Sequence, residues 1–388
     1  MNSEDHFKEI EDIDTLHDFD ETGTWSGVPF GFGETDKDDS RQIHFSDCYD
    51  DYSESEFYAG APEDFSLHSL LTVDNARFWS FDPIFEALGL AEPEDSIDYD
   101  ILISSIESLF RQAVLFFDDD VTALIRACDV PITDPLLDAV DDDALEVAKD
   151  LRIFFFVDDP QETRKLIVPL ELRGIFAEIS AAKDFDDKRR INAQLVYYAQ
   201  GMTILNGIVL VEDLARCLER NTGLSLPAEA IETFLRSLSP FYDLLGFRYN
   251  LHAKSITHAA LTSRSDITDL WSISQTHPAY LPDAESLRMA RLNAFYPMTE
   301  EYRRFEEYVS QWHFFDDESA CALFLIDFGQ AISMGAPIQE LSSLCDDYDM
   351  DIGDEFDKFM SLTTDVMNTT RRWDLRGNTI DELRKVRA

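Results

Sequence analysis

The sharpest candidate for a metal site in the sequence is a short acidic run towards its C-terminal end. Asp347, Asp349 and Asp351 are spaced two residues apart, as are the first three ligands of a calcium-binding EF-hand loop. The remaining positions do not fit, because the turn glycine comes one residue late, at Gly353, and Lys358 occupies the position of the bidentate glutamate. We therefore predict no metal ion here and favour a solvated turn between two helices.

The histidines form no recognisable ligand set. Only His252 and His258 of the eight histidines lie near each other, and an extended strand would hold them about 20 Å apart. A turn between residues 253 and 255 would bring them closer, but no third ligand is evident. We expect structural or surface histidines.

The five cysteines are widely spaced and include no CxxC pair, which argues against a disulfide framework and against a zinc knuckle. They are Cys48, Cys128, Cys217, Cys321 and Cys345. We expect buried thiols in a reducing compartment.

Catalytic motifs are missing from the sequence. It contains no GxSxG, HExxH, Walker or dinucleotide-binding pattern, and close carboxylate pairs are uninformative because acids are so common. We predict no catalytic residue, cofactor or metal; a non-enzymatic role is favoured, although an enzymatic activity stays open.

The most distinctive motif is the string N-T-T-R-R-W-D-L-R-G-N-T-I-D-E-L, residues 368–383, which we call the Trp373 segment. We predict that a helix ends near Leu375, that Gly377 is a left-handed cap, and that Thr379 and Glu382 begin a new helix with capping-box spacing. The candidate structural or interaction residues are Asn368, Arg371, Arg372, Trp373, Arg376, Gly377, Thr379 and Glu382.

Two roles are open for this positively charged region. Residues 371–388 hold six bases and three acids, which makes them an island of positive charge on an acidic chain. They could contact a partner, or Arg371, Arg372 and Arg376 could pair with the protein's own acids and hold its helices together.

The Trp373 segment resembles the N-x-x-R-x-W-x-x-x-G-x-T-P-x-E-L pattern near the C-terminus of uncharacterised bacterial proteins of the SEC-C motif-associated group. Looser similarity extends over about residues 150–385. Ile380 replaces the usual proline, Asn378 the frequent histidine, and no cysteine follows Cys345, so the zinc-binding tail of that group is not carried over. Because the group has no established activity, the resemblance bears on architecture more than on function.

Hydrophobic spacing predicts a mainly α fold with minor β structure: helical domains around a central winged-helix-like module with small β-hairpins. The predicted divisions are a disordered acidic tail at 1–64, a mainly helical domain at 65–188, the module at 189–264 and a helical domain at 265–388.

Two parts of this fold contain predicted strands. We predict a hairpin from two apolar runs, Ile153–Val157 and Leu166–Val168, and expect the next helix to begin at Pro169. In the module we predict, in order, a helix from Ile191, a strand at 208–211, a helix at 212–220, a helix after Pro227, and a hairpin at 244–251 and 255–261.

The third helix of a winged helix normally enters the DNA major groove. Here we expect it to present Glu229, Glu232, Thr233, Arg236 and Ser237 to solvent. Two acids and one arginine would repel phosphates, so a protein-contacting or structural module is favoured over DNA binding.

Net charge limits the partners. The 388-residue chain carries 78 acids and 32 bases, a net charge of −46, although residues 181–300 sum to only −2. This charge argues against a general nucleic-acid coat protein or a membrane-surface protein.

We expect a cytoplasmic bacterial protein, because the first residues are acidic and contain no apolar stretch. The favoured function is a non-enzymatic protein-interaction or adaptor protein that binds a basic protein partner, with the oligomeric state open. The alternatives are a winged-helix transcriptional regulator that binds DNA, and an acidic nucleic-acid mimic.

Overall fold

A computed structural model describes most of the chain after residue 98. The described residues are 99–127, 132–133, 155–158, 164–293, 297, 299–311, 318–348, 350 and 352–387. The predicted acidic tail therefore lies outside the described residues. The described part is mainly helical with short antiparallel strands, which confirms the predicted mainly α class.

The elements are as follows. Up to the second sheet they are α1 (Tyr99–Ala113), α2 (Asp119–Ala127), β1 (Ile132–Thr133), β2 (Phe155–Asp158), β3 (Arg164–Ile167), α3 (Leu170–Ser180), α4 (Phe185–Asn206), β4 (Ile208–Leu210), α5 (Val211–Thr222), α6 (Ala228–Ser237), α7 (Tyr242–Leu245), β5 (Phe247–Asn250) and β6 (Ser255–His258). The helices that follow are α8 (Arg264–Ser274), α9 (Ala284–Asn293), α10 (Glu300–Gln311), α11 (Glu318–Met334), α12 (Ile338–Asp347), α13 (Phe356–Thr369) and α14 (Ile380–Arg387).

The first sheet contains the predicted hairpin. Strands β2 and β3 pair antiparallel, and α3 follows Pro169 as predicted. The short strand β1 pairs with the other edge of β3, giving the order β1-β3-β2. This third strand was not predicted, because two residues carry no readable alternation of apolar and polar side chains.

The second sheet has the order β4-β6-β5, with both pairings antiparallel. Its elements follow the chain order α4, β4, α5, α6, α7, β5, β6, and apart from the short helix α7 they agree with the individual elements predicted for this region. Local signals explain the boundaries: Gly207 and Gly223 have positive φ where α4 and α5 end, and Pro227 immediately precedes α6.

Most buried side chains belong to two large apolar cores. The first core contains residues of α1 to α7 and of α9, and α4 crosses the predicted division between residues 188 and 189 without interruption. The second core is formed by α10 to α13 and is rich in phenylalanine; the rings of Phe305 and Phe328 stack with their centroids 4.2 Å apart. The predicted domain boundaries themselves stay a prediction.

A small third cluster contains Ile208, Leu261, Leu270 and Trp373. It brings β4 and α8 into contact with the Trp373 segment, and Met334 at the end of α11 packs against it. The most distinctive motif of the sequence therefore lies in the interior of the protein.

Candidate functional site

The backbone of the Trp373 segment leaves the helix earlier than predicted. Helix α13 ends at Thr369, and Thr370 is already extended, with φ −80° and ψ 142°. The predicted helix end near Leu375 is therefore wrong. Arg376 and Gly377 both have positive φ, 56° and 78°, so the left-handed conformation predicted for Gly377 is confirmed, although it closes a turn rather than a helix.

The predicted capping box is present at the start of α14. The backbone N–H of Thr379 donates to Glu382 Oε2 at 3.0 Å, and the N–H of Glu382 donates to Thr379 Oγ1 at 3.1 Å. Burial raises the pKa of Glu382, but hydrogen bonds from Thr379 and Arg371 outweigh burial and hold it below its ordinary value. This carboxylate is thus charged and fixed in place near neutral pH.

Trp373 is fully buried, and its indole contacts the end of α4. Its Nε1–H donates to the carbonyl of Ile204 at 2.8 Å. A Cβ atom on Gly207 would lie only 2.5 Å from the indole, so this position requires glycine both for its positive φ and for the close approach. The ring of His258 lies 5.2 Å from that of Trp373, centroid to centroid.

The same segment is anchored at the C-terminal end of α11. The backbone N–H of Trp373 donates to the carbonyl of Ser333 at 2.8 Å, and Arg372 donates to the carbonyl of Gly335 at 2.8 Å. Arg372 also binds both carboxylate oxygens of Asp374 at 2.9 Å. These bonds attach the segment to helices of the second core.

Arg376 reaches into the first core instead. Its Nη2 lies 2.7 Å from Asp213 Oδ2, and the two side chains are only 14% and 4% exposed. Asp213 stands in the first turn of α5, and its other oxygen accepts from Arg216. Removing either partner of so buried an ion pair would leave an uncompensated charge.

Arg371 and Asn378 hold the segment to the loop between α8 and α9. The guanidinium of Arg371 lies 3.3 Å from the ring centroid of Tyr280 and bridges both oxygens of Glu382 at 3.0 and 3.1 Å. Asn378 donates to the carbonyl of Pro278 at 2.7 Å. All three arginines are thus paired within the chain, as the intramolecular interpretation predicts.

Of the eight candidate residues, seven take part in this turn and its contacts. Asn368 lies in the last turn of α13 and is half-buried. The sequence reasoning missed the partners, of which Asp213, Tyr280 and Gly207 are the main ones. Only Gly207 had a local signal, since a glycine that follows a long helical pattern indicates a helix end.

The two histidines are not brought together. His252 lies in the turn of the β5–β6 hairpin, whereas His258 pairs with Phe247 at the opposite end of the hairpin. His258 Nδ1 accepts from the N–H of Ala260 at 3.1 Å, and burial lowers its pKa to about 4. Its ring is therefore neutral near pH 7 and serves packing.

The acidic run shows no ligand geometry in its described part. Helix α12 ends at Asp347, and Asp349 and Asp351 lie outside the described residues. The ammonium of Lys358 lies 3.9 Å from Glu355. Among the residues that the structure describes, no group of three or more histidines, cysteines or acids could hold a metal ion.

The cysteines that the structure describes are free thiols. Cys217 and Cys345 are buried, Cys321 is partly buried, and the other two lie outside the described residues. Burial raises the pKa of Cys217 to about 11 and that of Cys345 to about 12, so both are protonated and poorly nucleophilic at neutral pH.

The outer face of α6, which we define as Glu229, Thr233, Arg236 and Ser237, is exposed as predicted. Glu232 is not part of it. Its side chain is buried, because it turns towards the β5–β6 hairpin and pairs with Lys254 at 3.2 Å. The face therefore carries one acid and one arginine.

No protein-family model matches the chain, and comparisons with curated proteins and with solved structures also find no match. Across the described residues, no helix has both the length and the apolar character needed to cross a bilayer. The function must therefore be argued from the arrangement of charges and contacts.

Proposed function

We propose that this protein is a non-enzymatic, cytoplasmic bacterial interaction or adaptor protein that binds a basic protein partner through acids on its C-terminal helices. One observation carries the proposal: both arginines of α10 already pair with acids of the same helix, whereas several exposed acids of α12, α13 and the turn between them form no ion pair with a described cation. Arg303 pairs with Glu300 at 2.7 Å, and Arg304 pairs with Glu301 at 3.4 Å.

Five further acids of this region are exposed, and no cation of the described chain forms an ion pair with any of them. This acidic face consists of Glu340, Asp346, Asp347, Asp354 and Asp357. Exposed carboxylates that are not neutralised within the protein attract lysine and arginine of a partner and speed its association.

The thiols and arginines that the structure describes favour a binding role over a catalytic one. The buried thiols have raised pKa values, and the arginines of the Trp373 segment are occupied by the protein's own acids. Both observations support a non-enzymatic role, because reactive groups at active sites usually have pKa values shifted towards neutrality.

The test is affinity capture from the native host with a variant in which the five acids of the acidic face are changed to glutamine or asparagine. A matched control neutralises five exposed acids elsewhere: Asp187, Glu212, Glu219, Asp266 and Asp269. We expect the face variant to lose the partner and the control to keep it, and wild-type binding to weaken as salt rises. Capture that is unchanged in the face variant and in high salt would contradict the proposal. Deletion of residues 371–388 is unsuitable, because it removes the buried Trp373.

A DNA-binding regulator is the second candidate, and the fold supports it. We propose that α4 to β6 form a winged-helix-like module. Its basis is the order of helix, strand, two helices and hairpin, interrupted only by the short helix α7, together with the sheet order β4-β6-β5. The outer face of α6 would then be the recognition surface, but its single arginine is offset by Glu229.

Fluorescence anisotropy with labelled duplex DNA distinguishes the candidates. We expect no saturable binding at physiological salt. Saturable binding that Arg236→Ala weakens would replace the adaptor proposal with the regulator. Competition with DNA for a nucleic-acid-binding partner would instead favour the acidic mimic.

We also keep, as a proposal, the relationship to the SEC-C motif-associated group. Its support is the match of Asn368, Arg371, Trp373, Gly377 and Thr379 to the group's pattern. The relationship adds no activity to the proposed function.

A further inference from the structure

We propose that the Trp373 segment couples the two large cores of the protein. Because of this segment, the two cores unfold and refold together as one unit. Among the described residues the cores form separate clusters: the first belongs to α1 to α7 and α9, and the second to α10 to α13. The most extensive contacts between helices and strands are made within each of these groups, such as α4 with α9 and α10 with α13. A link between the groups must therefore come largely from another part of the chain.

The Trp373 segment provides such a link because its anchors alternate between the two sides. Towards the second core, Arg372 and the backbone N–H of Trp373 bind the C-terminal end of α11. Arg372 binds the carbonyl of Gly335, which follows the helix, and Trp373 binds that of Ser333 in its last turn. Towards the first core, the Trp373 indole binds the carbonyl of Ile204, and Arg376 binds Asp213.

Separation of the cores would be costly, since it would expose several buried groups at once. The indole of Trp373 would leave its apolar cluster, and the buried Asp213 would keep only Arg216 as a paired cation. Because neighbouring positions of one short turn make both sets of contacts, neither set can be lost without loosening the other. Unfolding of either core therefore destabilises the other core.

Native-state hydrogen exchange of the full chain tests this inference. Exchange in β6 reports the first core, and exchange in α12 reports the second. In the wild type we expect the slowest amides of both to exchange at a common rate and with the same dependence on low denaturant concentrations, because both require the same opening.

Two variants remove one side of the link each. Arg372→Ala removes a bond to the second core, and Arg376→Ala removes the ion pair to the first. We expect each variant to accelerate exchange in both β6 and α12 and to separate their rates by about tenfold or more, equivalent to about 1.4 kcal/mol. Arg376→Lys, which keeps a cation near Asp213, should largely restore the common rate. Arg384→Ala, which removes an exposed pair with Asp381 on α14, should change neither rate.

Local roles would give a different result. If Arg372→Ala accelerated exchange only in α12 and Arg376→Ala only in β6, each residue would merely stabilise its own surroundings. That outcome, or wild-type rates in β6 and α12 that already differ by tenfold, would overturn the inference.

Discussion

The Trp373 segment and the outer face of α6 contain similar residues in very different environments. Each has arginine, an acid and threonine within a short stretch. In the segment, Arg376 is 14% exposed and pairs with a buried carboxylate, whereas Arg236 on α6 is exposed to water. The same residue type is therefore part of the interior in one region and part of the surface in the other.

This difference shows why a cluster of arginines does not by itself indicate a binding surface. A guanidinium that donates hydrogen bonds to a carboxylate and to backbone carbonyls has few N–H groups left for a partner. Arg371, Arg372 and Arg376 of the positive island therefore contribute to cohesion, whereas the partner surface that we propose is formed by exposed acids.

The largest effect should come from removing the side chain on which the segment depends. Trp373→Ala should lower the free energy of unfolding by about 4 kcal/mol, because it removes a fully buried aromatic ring and leaves a cavity. Phe356→Ala is the control, since Phe356 is 48% exposed and its loss should cost less than about 1 kcal/mol. If urea unfolding showed that Trp373→Ala and Phe356→Ala lose the same unfolding free energy, the segment could not be assigned to the interior.

The two arginines compare the regions directly. Arg376→Ala should lower the free energy of unfolding by about 3 kcal/mol, because Asp213 would stay buried with only Arg216 beside it. Arg236→Ala should change it by less than about 0.5 kcal/mol. A larger loss for Arg236→Ala than for Arg376→Ala would reverse the comparison.

Acid should weaken the packing around Trp373 through His258. Its pKa is about 4 in the folded protein, below the ordinary value of 6.5, so the folded state favours the neutral ring. The stability that this provides is present above pH 6.5 and is lost as the pH falls towards 4, to a total of about 3 kcal/mol at most.

Many carboxylates titrate in the same range, so the measurement is a difference between variants. His258→Asn keeps an acceptor for the N–H of Ala260 but does not titrate. We expect the wild type to lose more stability than His258→Asn between pH 6.5 and 4. Parallel pH profiles would show that protonation of His258 does not oppose folding.

The smallest effect should come from the capping box. Thr379→Ala removes the hydroxyl that accepts from the N–H of Glu382, at a cost of about 1 kcal/mol. Thr262→Ala is a suitable control, because Thr262 is exposed and lies outside the helices. A loss no larger than that of the control would mean that α14 is held by Arg371 and Glu382 alone.

Local chemistry made much of the fold predictable. The predicted signals act within a few residues: a proline before α3, a proline before α6, and the spacing from Thr379 to Glu382. The structure agrees with each. The end of α13 was misplaced because the chain leaves the helix at Thr370 to bury Trp373, and this burial depends on Ile204, which is 169 positions away.

The candidate site was predictable in its residues but not in its partners. Arg376 and Asp213 are 163 positions apart, and nothing in either neighbourhood specifies the other. Glu232 was placed on the surface because helical spacing allowed it, whereas Lys254 of the hairpin covers it. Tertiary contacts of this kind follow from the fold as a whole.

A double-mutant cycle on Arg376 and Asp213 tests most directly that the segment faces inward. Unfolding free energies of Arg376→Ala, Asp213→Ala and the double variant give the coupling energy of the pair. We predict at least about 2 kcal/mol, against less than about 0.5 kcal/mol for the exposed pair Arg288 and Glu285 measured in the same way. A value for Arg376 and Asp213 as small as that of the exposed pair would contradict the account.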